Sequence, residues 1–397
     1  MLSIINPSRD NLKYLKLSYE SVRKYADRKD LEYLVADDYS TNDDTYSWCK
    51  ETAKKDPNFK FMRNDSGKRL GHCVLFDELI NNYSTNNIVL IWHSDMVASR
   101  GFDSEILSLI QPKHIVSLTR VEPPLHPPQL NVKVLRNFGF DPEDFQEENF
   151  INYTDSIKEK RYTTGVFAPW AIIKKEFQDI GGHDWPLLAP QSKEDSAFWA
   201  RYKINGGNFI QTWNSFVYHF TCKGSRRNPF LTTKEKDSGE WSAQNTRSSR
   251  NYIRHFGHFV CHDDYMHPIV PPKYNIGFVV ENCDLYLLYN LEPWCSTIYS
   301  DCKQMEIDTY IYREQQNTVY DLKNRVKKID DIKNNDILIS FDGGKLATHE
   351  FDIITNLSDI LSNATETGKF LLDIFTVNIM NLKTYEHELV IANHDWR

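Results

Sequence analysis

Cysteine, glycine and proline are all sparse in this chain of 397 residues, which holds seven, 16 and 16 of them. So little glycine and proline excludes a collagen-like or low-complexity chain, and 40% hydrophobic residues exclude a wholly disordered one. The cysteines are odd in number and scattered: Cys49, Cys73, Cys222, Cys261, Cys283, Cys295 and Cys302. None forms a Cys-x-x-Cys pair or a zinc-type Cys/His cluster. The expectation is therefore unbridged thiols in a reducing compartment, with a cytoplasmic location as the default. Long apolar runs are missing too. None approaches the roughly 18 residues of a membrane span, and the opening Met1 to Pro7 reads as a strand rather than a signal peptide. An excess of positive charge is likewise absent. With 47 basic and 55 acidic residues the net charge is -8, which gives no global attraction to nucleic acid.

What is present is enough apolar sequence for two domains. The first hundred residues alternate strand and helix signals. Leu2–Asn6, Leu31–Ala36, Phe59–Met62 and Asn87–Trp92 read as strands. Asn11–Tyr25, a segment opened by Asp43-Asp44, and Gly71–Asn81 read as helices. Such alternation argues an α/β fold with a mostly parallel central sheet and helices on both faces. Asp37-Asp38 and His93-Ser94-Asp95 fall just beyond strand ends, where open α/β sheets bind ligands. Further on, His114–Arg120 and Phe209–Phe220 read as strands, Gly181 to Trp185 as a turn, and Glu194-Asp195 opens a helix. Residues 221–250 read as a mobile polar loop and 262–273 as a Pro-rich linker. Residues 274–397 read as a smaller α+β domain. Its expected strands are Ile276–Val280, Asp284–Leu291, Thr309–Tyr312, Ile337–Phe341 and Phe370–Ile379. Its helices are expected over Val319–Val326 and Phe351–Leu361.

The segment Leu34-Val35-Ala36-Asp37-Asp38-Tyr39-Ser40-Thr41-Asn42-Asp43 is similar to a Val-Val-Asp-Asp-Gly-Ser-Thr-Asp pattern. Leu2 to Arg9 resembles an opening Val-Ser-Ile-Ile-Ile-Pro strand, and Ser94-Asp95 sits where an Asp-x-Asp belongs. Gly181-Gly182-His183-Asp184 resembles Gly-Gly-Phe-Asp, Lys193-Glu194-Asp195 matches a late acidic pair, and Tyr218-His219-Phe220 a late His-Phe. Taken in order over roughly residues 1–225, these pieces resemble the inverting family 2 glycosyltransferases of the GT-A fold. The resemblance implies a Rossmann-like catalytic domain, here 1–261, that uses a nucleotide-sugar, a UDP-sugar above all, with Mn²⁺ or Mg²⁺. The implied partners are that donor and a carbohydrate or glycoconjugate acceptor.

Site residues follow from the same resemblance. Asp38 reads the base, with Asp37 supporting it or touching the ribose, Pro7 bordering the base and Arg69 near the base and phosphates. Both acids also serve as helix caps and Arg69 as a solvated turn. Ser94 and Asp95 face the diphosphate, and Asp95 binds the metal with His219, which otherwise reads as an interior histidine. His93 is read as orienting this site, with a role as second ligand the alternative. One carboxylate replaces the usual two, which weakens the metal site. Asp195 is the general base that single displacement requires, with Glu194 beside it. Asp184 and Trp185 lie on the acceptor side, although a core role suits Trp185 equally. Lys223, Arg226 and Arg227 are either a diphosphate clamp or a surface cluster. A non-catalytic sugar- or nucleotide-binding module, or an assembly subunit, is the alternative. A nucleotidyltransferase is less suited, because Asn6 to Asp10 offers no Gly-rich phosphate loop. Residues 274–397 are expected to hold no catalytic group and to select the acceptor or pair subunits as a homo-oligomer. A 1–273 segment is expected to fold and hydrolyse donor alone.

Overall fold

The computed structural model describes residues 1–129, 131–221, 223 and 238–394. In the first part the strands are β1 (Leu2–Ser8), β2 (Glu32–Asp37), β3 (Phe59–Arg63), β4 (Ile88–Ile91), β5 (Met96–Ala98), β6 (His114–Glu122), β7 (Lys133–Leu135), β8 (Tyr162–Thr163), β9 (Trp170–Ile173) and β10 (Asn208–His219). Interleaved helices are α1 (Leu12–Tyr25), α2 (Thr45–Lys55), α3 (His72–Glu78), α4 (Phe102–Leu109), α5 (Glu147–Ser156), α6 (Lys174–Asp179), α7 (Trp185–Leu188) and α8 (Glu194–Ile204). The strands make one ten-stranded sheet in the order β3-β2-β1-β4-β9-β6-β10-β5, with β7 on β6 and β8 on β10. Pairing is parallel from β3 through β4 and between β6 and β10, while β9 runs antiparallel between β4 and β6. The carboxyl ends of β1, β2, β4, β6 and β10 therefore share one edge. This is the GT-A arrangement expected from the sequence.

Local sequence explains the elements. All seven residues of β1 are buried, as suits a strand covered on both faces. On α1 the buried positions Tyr14, Leu15, Ser18, Ser21, Val22 and Tyr25 recur with helical spacing. Beyond β10 comes a difference from expectation. Residues 239–256 are not loop but a long helix, α9 (Gly239–Phe256), capped by Ser238, whose side chain accepts from the Trp241 N–H. Its buried face carries Arg250, Asn251, Arg254 and His255, so hydrophobic periodicity misses it. Arg226 and Arg227 lie outside the described residues, and Lys223 sits 3.5 Å from Asp141. The expected linker contains a hairpin, β11 (Cys261–His262) and β12 (Pro268–Ile269).

The C-terminal part is a six-stranded sheet. Its elements are β13 (Ile276–Glu281), α10 (Leu285–Leu291), β14 (Thr297–Ser300), α11 (Gln304–Glu314), α12 (Leu322–Arg325), β15 (Val326–Lys328), β16 (Ile337–Asp342), α13 (Thr348–Thr355), α14 (Leu357–Ser362), β17 (Gly368–Leu372) and β18 (Phe375–Ile379). Two segments read as strands are helices. Asp284 caps α10 by accepting from the Leu287 N–H, and Leu288 and Leu291 bury one face. On α11 Ile307 and Tyr310 do the same three residues apart. The stretch Phe370–Ile379 turns at Asp373, whose φ is 54°, into the β17–β18 hairpin. Among the described residues no helix is long and apolar enough to cross a membrane.

Two features tie the parts together. Arg250 and Arg254 of α9 reach Glu314 and Glu292, and Arg325 donates to Glu292 at 2.6 Å. Glu292 is fully buried, and although burial opposes ionisation, Arg325 and Arg254 pull its carboxyl down to about 2. The tail then returns to the first sheet. The Ala392 N–H donates to the Ile180 carbonyl at 2.9 Å, and Leu389 packs with Leu187 and Leu188. Removing one member of a buried charge cluster strands the others, at a cost of about 3–5 kcal/mol. Arg254→Ala should therefore lower the urea midpoint of the full chain by that equivalent. An unchanged midpoint would show the cluster to be dispensable. For the same reason a 1–273 segment, deprived of Glu292, Glu314 and the tail, should show no cooperative unfolding transition by circular dichroism.

Candidate active site

Three groups of functional side chains gather at the carboxyl edge of the first sheet. The first surrounds Asp38. Its Oδ1 accepts from Asn64 Nδ2 at 2.8 Å and from the Leu70 N–H at 2.9 Å, and its Oδ2 from the Gly71 N–H at 2.9 Å. Asp38 thus fastens the 64–71 loop. Gly71 has φ of 81°, and a Cβ there would fall 1.9 Å from the Pro190 carbonyl oxygen, so no other residue fits. Arg69, on the same loop, stands 3.9 Å from Asp38 and donates to Gln191. Asp37 is fully buried and takes the Ser40 N–H at 3.0 Å; burial pushes its carboxyl up, against the pull of Ser40 and Arg63. It is a support for the turn, not an exposed contact. Pro7 is buried in β1 beside Ala36.

The second group follows β4. Ser94 accepts from Asn11 Nδ2 at 3.2 Å. Asp95 lies next, and His219, at the end of β10, holds its Nε2 3.6 Å from Asp95 Oδ1. His93 joins them: the ligand atoms of His93, Asp95 and His219 all lie within 4.8 Å of one another. The set is thus one carboxylate and two imidazoles rather than the expected pair. Burial holds His93 below its ordinary value, against the pull of Asp95, and so favours the neutral ring that ligates metals. The ring of His219 is oriented from behind by Glu122, which faces Nδ1 at 2.9 Å. Burial alone would raise the Glu122 carboxyl, but Arg120 at 3.0 Å, His219 and Lys133 at 2.8 Å hold it well below the carboxylate range. An ionised Glu122 accepts a hydrogen bond from Nδ1–H, which leaves Nε2 to a ligand.

The third group surrounds Asp195 at the start of α8. Trp170 Nε1–H donates to its Oδ1 at 3.1 Å, and His183 Nε2 lies 3.9 Å from the same oxygen. His183 in turn faces Asp77 through Nδ1 at 2.7 Å, and its backbone N–H donates to Asp77 at 3.0 Å. Burial would discharge this imidazole, but Asp77 and Asp195 outweigh it and raise the ring to about 9. Glu194, half-buried beside Asp195, is pushed up to about 7 by burial and by its neighbour's charge. Glu194 is thus the acid that holds a proton near neutrality, while Asp195 is the one whose Oδ1 is fixed by Trp170. Asp195 and Glu194 open, with Arg120, His93, His219, Phe167, Trp199 and Tyr252, on a cavity of about 410 Å³ closed on one side by the β11–β12 hairpin. Asp184 and Trp185 do not line it. Asp184 is buried and turned toward His255, 3.6 Å away, while Trp185 packs on His394. The turn points its histidine, not its aspartate, at Asp195.

Asp77, Trp170, Arg120 and Glu122 were not singled out from sequence. Arg120 and Glu122 alternate on one face of an apolar strand, and Asp77 interrupts the apolar run from Cys73 to Ile80. A charge in such a place demands a partner, and that is the signal that finds them.

Residues 3–181 match the sequence model described as Glycosyl transferase family 2. No curated protein matches the chain. Among solved structures the chain is similar to GalNAc-T7 with UDP, GalNAc and Mn2+, at 13% identity and a TM-score of 0.45, covering 64% of this chain and 48% of that one. It is also similar to the mannosyltransferase PcManGT from Pyrobaculum calidifontis in complex with GDP-Man and Mn2+, at 15% identity and a TM-score of 0.41, over 64% and 62%. A third is S. aureus TarS, at 14% identity and a TM-score of 0.40, over 64% and 43%. The chain thus covers less than two thirds of each of these proteins.

The raised His183 has a consequence for stability. A group charged in the fold above its unfolded value of 6.5 contributes fully below that pH, and the contribution is lost as pH rises through about 9. The loss is on the order of 3 kcal/mol. Glu194 weakens the fold in the same direction, earlier, as pH passes from 4.5 to about 7. Urea denaturation of wild type against His183→Phe should show the gap between them closing from neutral pH to above 9. A gap that stays constant would remove the charge from His183.

Proposed function

We propose, for a chain whose residues 3–181 match the glycosyl transferase family 2 model, that it moves a sugar from a UDP-sugar to a hydroxyl of a glycan-type acceptor with inversion. The observation that carries this reading is a single base beside a metal-type cluster. Asp195 opens onto the same cavity as His93 and His219. Domain limits of 1–261 and 274–397, joined by 262–273, go with this reading.

In the reaction the acceptor O–H proton passes to Asp195. The acceptor oxygen bonds to the anomeric carbon, and the bond from that carbon to the diphosphate oxygen breaks with its electron pair leaving on UDP. The α8 N-terminus favours a carboxylate at Asp195, and Trp170 fixes its Oδ1. His93, Asp95 and His219 suit a divalent cation: the imidazoles are set for ligation by burial and by Glu122, and Asp95 supplies an anionic oxygen. Two nitrogen donors suit Mn²⁺ better than Mg²⁺, which prefers oxygen. When bound, the cation supplies positive charge to the departing diphosphate. On the nucleotide side Asp38 acts through the loop it fastens, which carries Arg69 toward the phosphates.

UDP release from a panel of UDP-sugars tests the reading. Asp195→Asn should lower turnover by about 10²–10⁴-fold while calorimetry shows UDP binding unchanged, and an α-linked donor should give a β-linked product by NMR. Binding without turnover for every donor and acceptor would favour a non-catalytic module, and an α-product would exclude single displacement. Separately, Glu122→Gln should weaken Mn²⁺ binding about 10–100-fold in titration calorimetry. Equal affinity would mean that His219 is not a ligand.

A further inference from the structure

The displacement above needs a carboxylate in a fixed orientation, and it does not by itself call for an imidazole behind that carboxylate. The family pattern that residues 181–184 resemble has phenylalanine where this chain has His183. Packing alone would be met by a phenyl ring. His183 is fully buried in an aromatic box, with ring centroids 5.3 Å from Phe177, 5.6 Å from Phe198, 5.8 Å from Phe76 and 6.4 Å from Trp170. An imidazole brings two nitrogens into this box, and each needs a polar partner. Nδ1 has one in Asp77 at 2.7 Å. Among the described residues Nε2 makes no hydrogen bond, and it points to Asp195 Oδ1, 3.9 Å away.

Resting on the reading of Asp195 as base, we propose that His183 is its positioning residue: wedged between Asp77 and Asp195, it holds the base through Oδ1 and leaves Oδ2 for the acceptor hydroxyl. Trp170 donates to the same Oδ1 at 3.1 Å, so that oxygen has a hydrogen bond from the indole and the His183 ring behind it. The turn is fixed independently of the ring. Its N–H is bound by Asp77, and its carbonyl accepts from His394 of the C-terminal tail at 3.1 Å. Arg201 of α8 donates to the neighbouring Gly182 carbonyl. The titratable groups facing His183 are Asp77 and His72 from α3 and Asp195 and Glu194 from α8. The two aspartates dominate, and the ring is cationic at neutral pH. Its proton is not the one transferred: it stays on His183 while Asp195 takes the proton of the acceptor.

The test combines nitrogen NMR of the His183 ring with UDP-sugar hydrolysis across pH, on the full chain. In the wild type His183 should give an imidazolium signal near neutral pH, and Asp195→Asn should lower its titration midpoint. His183→Phe fills the same box and so should fold and bind Mn²⁺ and UDP as the wild type does. Its kcat should drop about 10-fold or more with the donor KM unchanged, and its pH profile should lose the alkaline limb. His183→Gln, which keeps a donor, should recover part of kcat. A neutral His183 ring, a midpoint indifferent to Asp195→Asn, or a folded His183→Phe with wild-type kcat would overturn the inference. A wild type with the imidazolium signal but no turnover on any donor would instead fail the transferase reading.

Discussion

A carboxylate buried near the end of an apolar helix has to be paired, and at Asp77 that requirement organises the carboxyl edge of the sheet. Asp77 receives both the N–H and the ring of His183, and so dictates the path of the Gly181–Asp184 turn. The turn passes close enough that a Cβ on Gly182 would lie 2.5 Å from Asp77 Oδ2, so the position is held by glycine with φ of 65°. From there the order of contacts is set. His183 stands behind Asp195, Trp170 pins the same oxygen, and the start of α8 is oriented toward the cavity. One buried charge thus determines where the proposed base sits relative to the cluster of His93, Asp95 and His219.

The second demand of this kind is Glu122. Held ionised by Arg120 and Lys133, it fixes His219 from behind, as Asp77 fixes His183. Both devices pair a histidine with a carboxylate below the cavity floor, yet with different outcomes. His183 lies between two carboxylates and takes a charge. His219, backed by Glu122, keeps Nε2 directed at Asp95. Each ring lies between two carboxylates, and what differs is the setting: aromatic rings enclose His183, while the Glu122 behind His219 is shared with Arg120 and Lys133.

Much of this was legible in sequence. Strand–helix alternation over the first hundred residues follows directly from hydrophobic spacing, and the polar residues just past strand ends mark the reaction edge. Less legible was everything that depends on long-range pairing. Helix α9 was hidden because its buried face carries arginines that make sense only against Glu292 and Glu314, some forty residues or more away in the chain. The acid at Asp184 fitted a motif, but the fold turns it toward His255, and no local pattern reports that rotation. Short apolar runs such as Leu285–Leu291 satisfy strand and helix equally until a cap such as Asp284 is recognised. The tail that returns to Ile180 leaves no periodic signal at all.

In the proposed reaction metal, nucleotide and base share one centre, and anomalous X-ray scattering from crystals of the full chain grown with Mn²⁺ and UDP tests that placement most directly. The predicted result is a manganese peak in coordination contact with Asp95 and His219, with the UDP diphosphate on it and the uracil toward the Asp38 loop. A peak elsewhere, or UDP bound away from the edge that holds Asp195, would contradict it.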